Sequence, residues 1–320
     1  MRRAPFIVAF CALLIASASA FAAKPGIRVM MLGTGSPAPR IERFGPSTLV
    51  EAGGQELLFD CGRGTTQRLW QLHIPLSAVT AVFFTHLHSD HTVGFPDLWL
   101  TGWLPTPFGR RTRPMQVFGP TGTEAMMASL KKAFGADIRI RHDGEGLPLA
   151  GVAIRAEDIS QGVVYERDGV KVTAFDVFHG PFIKPAFGYR VDYGGRSVVI
   201  SGDTHGNENL IRFSKGADVV VHEVAMAKTE LLRKSATARR IIGFHTTPEA
   251  AGKVFAQIKP KLAVYTHVVL LTTDPVIRAP TVQDLIAQTR KTWSGPLAVG
   301  EDLMTIEIGS TVNVSHGSAR

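Results

Sequence analysis

Six consecutive residues, His86-Leu87-His88-Ser89-Asp90-His91, constrain this chain more than any other feature. They follow an apolar run with β character, Ala81 to Phe84, so they lie where a strand stops and the backbone is free to turn. Three imidazoles and a carboxylate crowded into one strand end offer borderline nitrogen and hard oxygen donors to more than one cation. An isolated histidine is ordinarily a core or surface residue; four ligand-type side chains at this spacing point to metal. One such cluster cannot saturate two cations, so further donors are expected at other strand ends. They occur: His179 follows the run Val172 to Phe178, Asp203 follows Ser197 to Ser201 in Ser201-Gly202-Asp203-Thr204, and His267 follows Leu262 to Thr266. Loops beyond strand ends are where sheet proteins assemble sites.

The rest of the chain supports a two-sheet architecture. Strand-like runs occur at 26–32, 47–51, 56–59, 81–84, 115–118, 152–156, 170–177, 187–193, 197–201, 219–221, 262–265 and 303–308. Helical stretches are expected at 93–104, 123–134, 207–214, around 225–240, at 248–258 and at 282–293. Strands dominate early in each half and helices follow, which fits two sheets packed face to face with helices outside. The Gly33-Thr34-Gly35-Ser36-Pro37 turn is not a phosphate loop, because no Lys follows at the required spacing. There is no short repeat and no linker that would divide residues 23–320 into separate domains.

The first residues lead to an expectation of export. Arg2 and Arg3 precede an apolar run from Ala4 to Ala16 that closes on small residues, with Ala18-Ser19-Ala20 and Ala20-Phe21-Ala22 as cleavage sites. This is the secretory pattern, and it is too short for a membrane anchor. Residues 1–22 are therefore expected to be a signal peptide, and the product to be periplasmic or secreted with no membrane attachment. Cys11 leaves with that segment, so Cys61 has no partner for an internal disulfide. The formal charge of +8 falls to +6 on cleavage, with 33 Lys and Arg against 27 Asp and Glu. Basicity alone does not distinguish nucleic acid, membrane surface and small anions as partners.

From Gly26 to Ile308 the chain resembles the metallo-β-lactamase superfamily. The H-x-H-x-D-H motif carries the resemblance, and Leu57-Leu58-Phe59-Asp60-Cys61-Gly62 and Ser201-Gly202-Asp203-Thr204 corroborate it. The resemblance implies an α/β fold, a four-layer αβ/βα sandwich with the metal site at one edge of the sheets. It implies one zinc on His86, His88 and His179, a second on Asp90, His91 and His267, and Asp203 bridging them. Manganese or iron could use the same donors. Asp60 would stand behind the ligands and orient a histidine. Two cations sharing a hydroxide supply a nucleophile at neutral pH and stabilise charge on the substrate oxygen.

Asp203 argues against a true β-lactamase, which resembles this motif but places Cys or Ser at the bridge. His222-Glu223-Val224 and His245-Thr246-Thr247 are similar to paired signatures of the ribonuclease Z-like branch. There the resemblance implies that Glu223 holds His245 as an acid toward the leaving oxygen, with His222 beside it. The long basic arm of tRNA-processing members is missing, since only Gly180 to Gly202 separates His179 from Asp203. Phe44-Gly45-Pro46-Ser47-Thr48 and Gly94 to Leu104, with Trp99 and Trp103 at i, i+4, look like arylsulfatase-type members. The two indoles could wall an aromatic pocket or form a buried stripe. Arg110, Arg111 and Arg113 could attract a sulfate or phosphate ester or lie on a solvated loop.

The expectation is an exported binuclear zinc hydrolase of aryl sulfate esters, with small phosphodiesters as the alternative. Lactones, β-lactams and a non-catalytic metal-binding role are more distant. A small anionic ester is the expected partner and nucleic acid is not; whether the chain forms a homodimer is left open. His205 could reach the site from its loop, while His73, His142 and His316 have no ligand context.

Overall fold

A computed structural model describes residues 26–206 and 208–317. The expected signal peptide lies outside them, and no described helix is long and apolar enough to cross a membrane. Strands β1 (Ile27–Gly33), β2 (Ser47–Ala52), β3 (Gln55–Phe59), β4 (Ala81–Phe83), β5 (Met115–Gly119) and β6 (Ile154–Asp158) form most of one sheet. The second holds β7 (Gly162–Arg167), β8 (Val170–Asp176), β9 (Phe187–Tyr193), β10 (Arg196–Ile200), β11 (Val219–Ala227), β12 (Leu262–Leu271) and β13 (Leu297–Val299). The chain then returns to the first sheet as β14 (Met304–Ile308) and β15 (Val312–His316). The orders are β15-β14-β1-β2-β3-β4-β5-β6 and β13-β12-β11-β10-β9-β8-β7.

Strand residues alternate between two apolar environments, which is why these runs read as almost continuously hydrophobic. On β1, Ile27, Val29 and Met31 enter the layer between the sheets, whereas Met30 and Leu32 face helices packed outside. The inner layer is centred on Phe59, Phe83 and Phe118, whose rings stack at 5.0 and 5.1 Å. Outside the first sheet, helices Phe95–Thr101 and Thr123–Ala133 cover Leu98, Trp99 and Met127. Outside the second, helices Pro248–Ile258 and Val282–Thr289 bury Phe255 and Leu285. The result is the four-layer αβ/βα sandwich.

The parallel pairings position the site. β3, β4, β5 and β6 run parallel in one sheet, and β10, β11, β12 and β13 in the other. Their carboxyl ends, and the loops after them, are the places where α/β sheets carry ligands. Two strands run further than the sequence suggests. β11 continues through Ala227, where a helix was expected to have begun, and β12 continues past His267 to Leu271.

Candidate active site

The first half of the site is built from the ends of β3 and β4. Asp60 follows β3 in the left-handed region at φ 59°, a conformation that turns its carboxylate toward the neighbouring strand end. The carboxylate accepts from the Thr85 backbone N–H at 2.8 Å and its hydroxyl at 2.9 Å, and lies 2.8 Å from His91 Nδ1. Asp90 and His91 sit on the single helical turn Ser89–Thr92. The His91 carbonyl accepts from the Cys61 N–H at 2.7 Å. Cys61 itself is buried and free, and burial pushes its thiol far above the usual range, so it packs rather than reacts.

The second half comes from the other sheet. Asp203 Oδ2 lies 3.3 Å from His267 Nε2, 3.4 Å from His91 Nε2, 3.6 Å from His179 Nε2 and 3.9 Å from His86 Nε2. Asp90 Oδ2 is 3.3 Å from His267 Nε2 and 3.5 Å from His91 Nε2. Among the described residues five donor sets each gather within 4.8 Å: His86, His88 and His179; Asp90, His91 and His267; His86, His91 and Asp203; His179, Asp203 and His245; and Glu223, His245 and His267. His267 reaches this position through a β-bulge. Thr266 pairs with Glu223 and Val268 with Val224, leaving His267 as the extra residue at φ 42°. A bulge re-aims a side chain next to a site without ending the strand.

His86, His88, His179 and Asp203 are in the state that suits a cation. Burial lowers the pKa of His86, with the charge of His91 adding to it, and burial lowers those of His88 and His179. Burial would raise Asp203, but His267 and His91 outweigh it and hold the carboxyl well below its ordinary value. Neutral imidazoles beside ionised carboxylates are the protonation state that ligation requires. His91 is the exception. Burial would lower it, yet Asp203 and Asp60 hold a proton on the ring, while its Nε2 is buried with no hydrogen-bond partner among the described residues. A dication at that nitrogen would replace the proton and pair the orphaned atom, so the residues fit a metal.

Glu223 and His245 complete the floor. Glu223 is buried and points its carboxylate at three groups. They are His245 Nδ1 at 3.1 Å and the backbone N–H groups of Thr246 and Thr204 at 2.7 and 3.4 Å. Burial would lower His245, but the charge and hydrogen bond of Glu223 raise it to about 9. The His245 ring lies 5.0 Å from that of His179 and 5.4 Å from that of His267.

The family described as the beta-lactamase superfamily domain matches residues 55–268, which contain every donor named above. The chain belongs to this superfamily, in its ribonuclease Z-like branch. Ribonuclease Z of Mycobacterium marinum is 35% identical over 284 residues, covering 88% of this chain and 99% of the relative. That of Mycolicibacterium gilvum is 33% identical, covering 88% and 96%. The fold is shared with the metallo-beta-lactamase fold protein YhfI of Bacillus subtilis, at a TM-score of 0.67 and 16% identity over 87% of this chain and 98% of that one. Human tRNase Z, short form, gives 0.63 and 22% over 88% and 99%. This superfamily member is a metal-dependent hydrolase.

Two expectations are corrected by these relatives. Aryl sulfate ester hydrolysis is overturned as the main function, because the curated relatives are ribonucleases Z. The same finding overturns the expectation that nucleic acid is not a partner, and with it the restriction to small anionic esters. The local structure removes the sulfatase argument too. Trp99 and Trp103 are buried, with their indole N–H groups on the carbonyls of Val152 and Pro148, so they form core rather than a pocket. Arg111 is 2% exposed and spends its guanidinium on the carbonyls of Gly151 and Trp99. Arg113 spends its own on carbonyls from Ser77 to Thr80. Only Arg110 of the three is exposed. Residues 180–186 do join His179 directly to β9, but the ribonuclease Z relatives match across 88% of this chain, so the missing arm does not exclude nucleic acid.

His222 is not brought to the site. It faces the opposite side of β11 from Glu223, edge-on to Phe255 at 5.6 Å, with Nδ1 2.6 Å from the Glu223 carbonyl. His205 is exposed at the rim, its Nδ1 3.0 Å from the His245 carbonyl. His73 is exposed, His142 lies 2.8 Å from the Leu147 carbonyl and His316 pairs with Glu301, all away from the donors. What sequence reasoning missed is the wall above the metal centre. A cleft of about 340 Å³ opens over His88, Asp90, His179, Asp203, His245 and His267. Ile241, Phe244, Val269 and Leu271 form its apolar side. The signal was the apolar Ile241-Ile242-Gly243-Phe244 directly before His245.

Proposed function

We propose that this chain is a phosphodiesterase that holds two divalent cations, zinc by its donor set, and hydrolyses phosphodiester bonds of nucleic acid, RNA included. The observation that carries the reading is the convergence of four imidazoles on Asp203 Oδ2 beside the Glu223–His245 pair. When bound, a pair of dications supplies a water nucleophile at neutral pH and neutralises charge on phosphate oxygens. The chain's own residues do the rest. Asp203 spans the two donor sets and fixes their separation. Asp60 accepts from His91 Nδ1, which leaves Nε2 free for a ligand. Glu223 keeps a proton on His245 at the edge of the site, where it can pass to the ester oxygen that leaves. The ribonuclease Z names of the relatives support nucleic acid as the substrate. The Arg2-Arg3 start and the apolar run after it support export, and on that reading the substrate is met outside the cytoplasm.

The test is a substrate comparison on zinc-loaded protein. Bis-p-nitrophenyl phosphate and a single-stranded oligoribonucleotide should both be cleaved, p-nitrophenyl phosphate should not, and Asp203→Ala should abolish turnover of both diesters. Cleavage of the monoester in preference to either diester would refute the reading.

A further inference from the structure

The apolar side of the cleft has no part in holding metal or moving protons. Ile241 and Phe244 reach it from the end of the helix Ala236–Gly243, and Val269 and Leu271 from β12 beyond the bulge at His267. None of the four side chains can hydrogen-bond or carry charge. Phe244 is anchored next to the donors. Its carbonyl lies 3.0 Å from His179 Nδ1, its ring is 6.4 Å from the His179 ring, and it lies against Gly180. A Cβ at Gly180 would come within 3.0 Å of that ring, so the glycine, at φ 93°, makes room for it. The phenyl group is partly exposed, and it is exposed into the cleft.

We propose that this wall is a subsite for the nucleobase of the nucleotide bearing the scissile phosphate, with Phe244 as the stacking face. The inference rests on the phosphodiesterase reading and names which part of the substrate the site grips. A diester whose phosphorus lies over the donors must leave one ester substituent in the cleft. Ser36 also lines the cleft, but a sugar or glycerol hydroxyl finds no partner among these four side chains, whereas a base offers a flat face to a phenyl ring and to aliphatic carbons. A volume of about 340 Å³ holds one nucleoside and excludes a duplex. Recognition by stacking tolerates any base, because every base has a π-face.

The experiment is calorimetric titration of the zinc-loaded protein with adenosine 5′-monophosphate, its 3′ isomer, uridine 5′-monophosphate and methyl phosphate. At least one adenosine monophosphate should bind about tenfold more tightly than methyl phosphate, the scale of one base–aromatic stack. Uridine monophosphate should keep part of that advantage. Phe244→Ala should remove the advantage and Phe244→Trp retain it, with methyl phosphate bound equally by all three proteins. The His179 partner is a backbone carbonyl that every substitution keeps. Should the alanine variant fail to fold, Phe244→Leu preserves apolar volume without a ring and should weaken only the nucleotides. Equal binding of nucleotides and methyl phosphate by the wild type, or an advantage that survives loss of the ring, would overturn the subsite. Binding is read without turnover, so a protein that stacks nucleotides but cleaves no diester would refute the function and leave the subsite standing.

Discussion

Asp60→Asn should weaken metal binding without unfolding the protein, and the reason lies in hydrogen polarity. The wild-type carboxylate accepts twice from Thr85 and faces His91 Nδ1 at 2.8 Å, so that nitrogen keeps its hydrogen and it is the Nε2 proton, beside Asp203 and Asp90, that a cation displaces. Asparagine has the same shape but only one accepting oxygen. If that oxygen keeps the Thr85 N–H, the amide NH2 meets Nδ1–H and the ring must move its hydrogen to Nε2, where a cation should bind. Loss of such a supporting partner costs roughly 10–100-fold in metal affinity, which is about 1.4–2.7 kcal/mol. The assay is chelator competition for each metal equivalent, with circular dichroism of the metal-free protein as the control for folding. Asp60→Ala should in addition strand the buried Thr85 N–H and cost about 1–3 kcal/mol of stability. An Asp60→Asn protein that binds both equivalents as tightly as wild type would refute the tautomer argument.

Other perturbations follow from the same geometry. His245 stands at about 9 against an ordinary value near 6.5, so its pairing with Glu223 stabilises the metal-free protein fully below that ordinary value and ceases to do so as pH rises through 9. Wild type should therefore exceed Glu223→Gln by about 3 kcal/mol more at about pH 6 than at about pH 10, read from urea unfolding. Glu56 shows the converse use of a raised pKa: burial, then the charge of Glu51, lifts it to about 7, and its Oε2 has no hydrogen-bond partner among the described residues. Wild type loses stability as pH climbs from the ordinary carboxyl range through 7, so Glu56→Gln should gain about 2 kcal/mol at about pH 8 and nothing at about pH 4, seen in thermal melts. Phe83 stacks between Phe59 and Phe118 in the inner layer, and Phe83→Ala should cost about 3–5 kcal/mol in denaturant unfolding.

The site was legible wherever chemistry and sequence spacing coincide. His86, His88, Asp90 and His91 lie within one turn of chain, and His179 and Asp203 each follow a recognisable strand. His267 could be placed in the donor set but not in the fold. The run after it looks like the start of a new element, and only pairing with β11 shows that the strand continues through a bulge. The end of β11 was obscured in the same way, because Val224-Ala225-Met226-Ala227 is apolar without a period that separates strand from helix. β13 has only three residues, and the edge strands β7 and β15 are largely exposed, so none of the three shows a sustained apolar run. His222 was a missed inference: neighbours on a strand face opposite ways, so it could not share the site with Glu223. The spacing of Trp99 and Trp103 gave no sign of which surface they meet, and that surface is the outer core. Least legible was the substrate. Sulfate and phosphate esters present similar shape and charge to the same metal centre, and what favours phosphate is the ribonuclease Z naming of the relatives.

Whether two cations held across Asp203 drive phosphodiester hydrolysis can be read by titrating metal-free protein with zinc while following bis-p-nitrophenyl phosphate turnover and bound metal in the same samples. Activity should stay low through the first equivalent, rise through the second and level off at two zinc per chain, and Asp203→Ala should stay inactive throughout. Full activity at one equivalent, or none at two, would contradict the account.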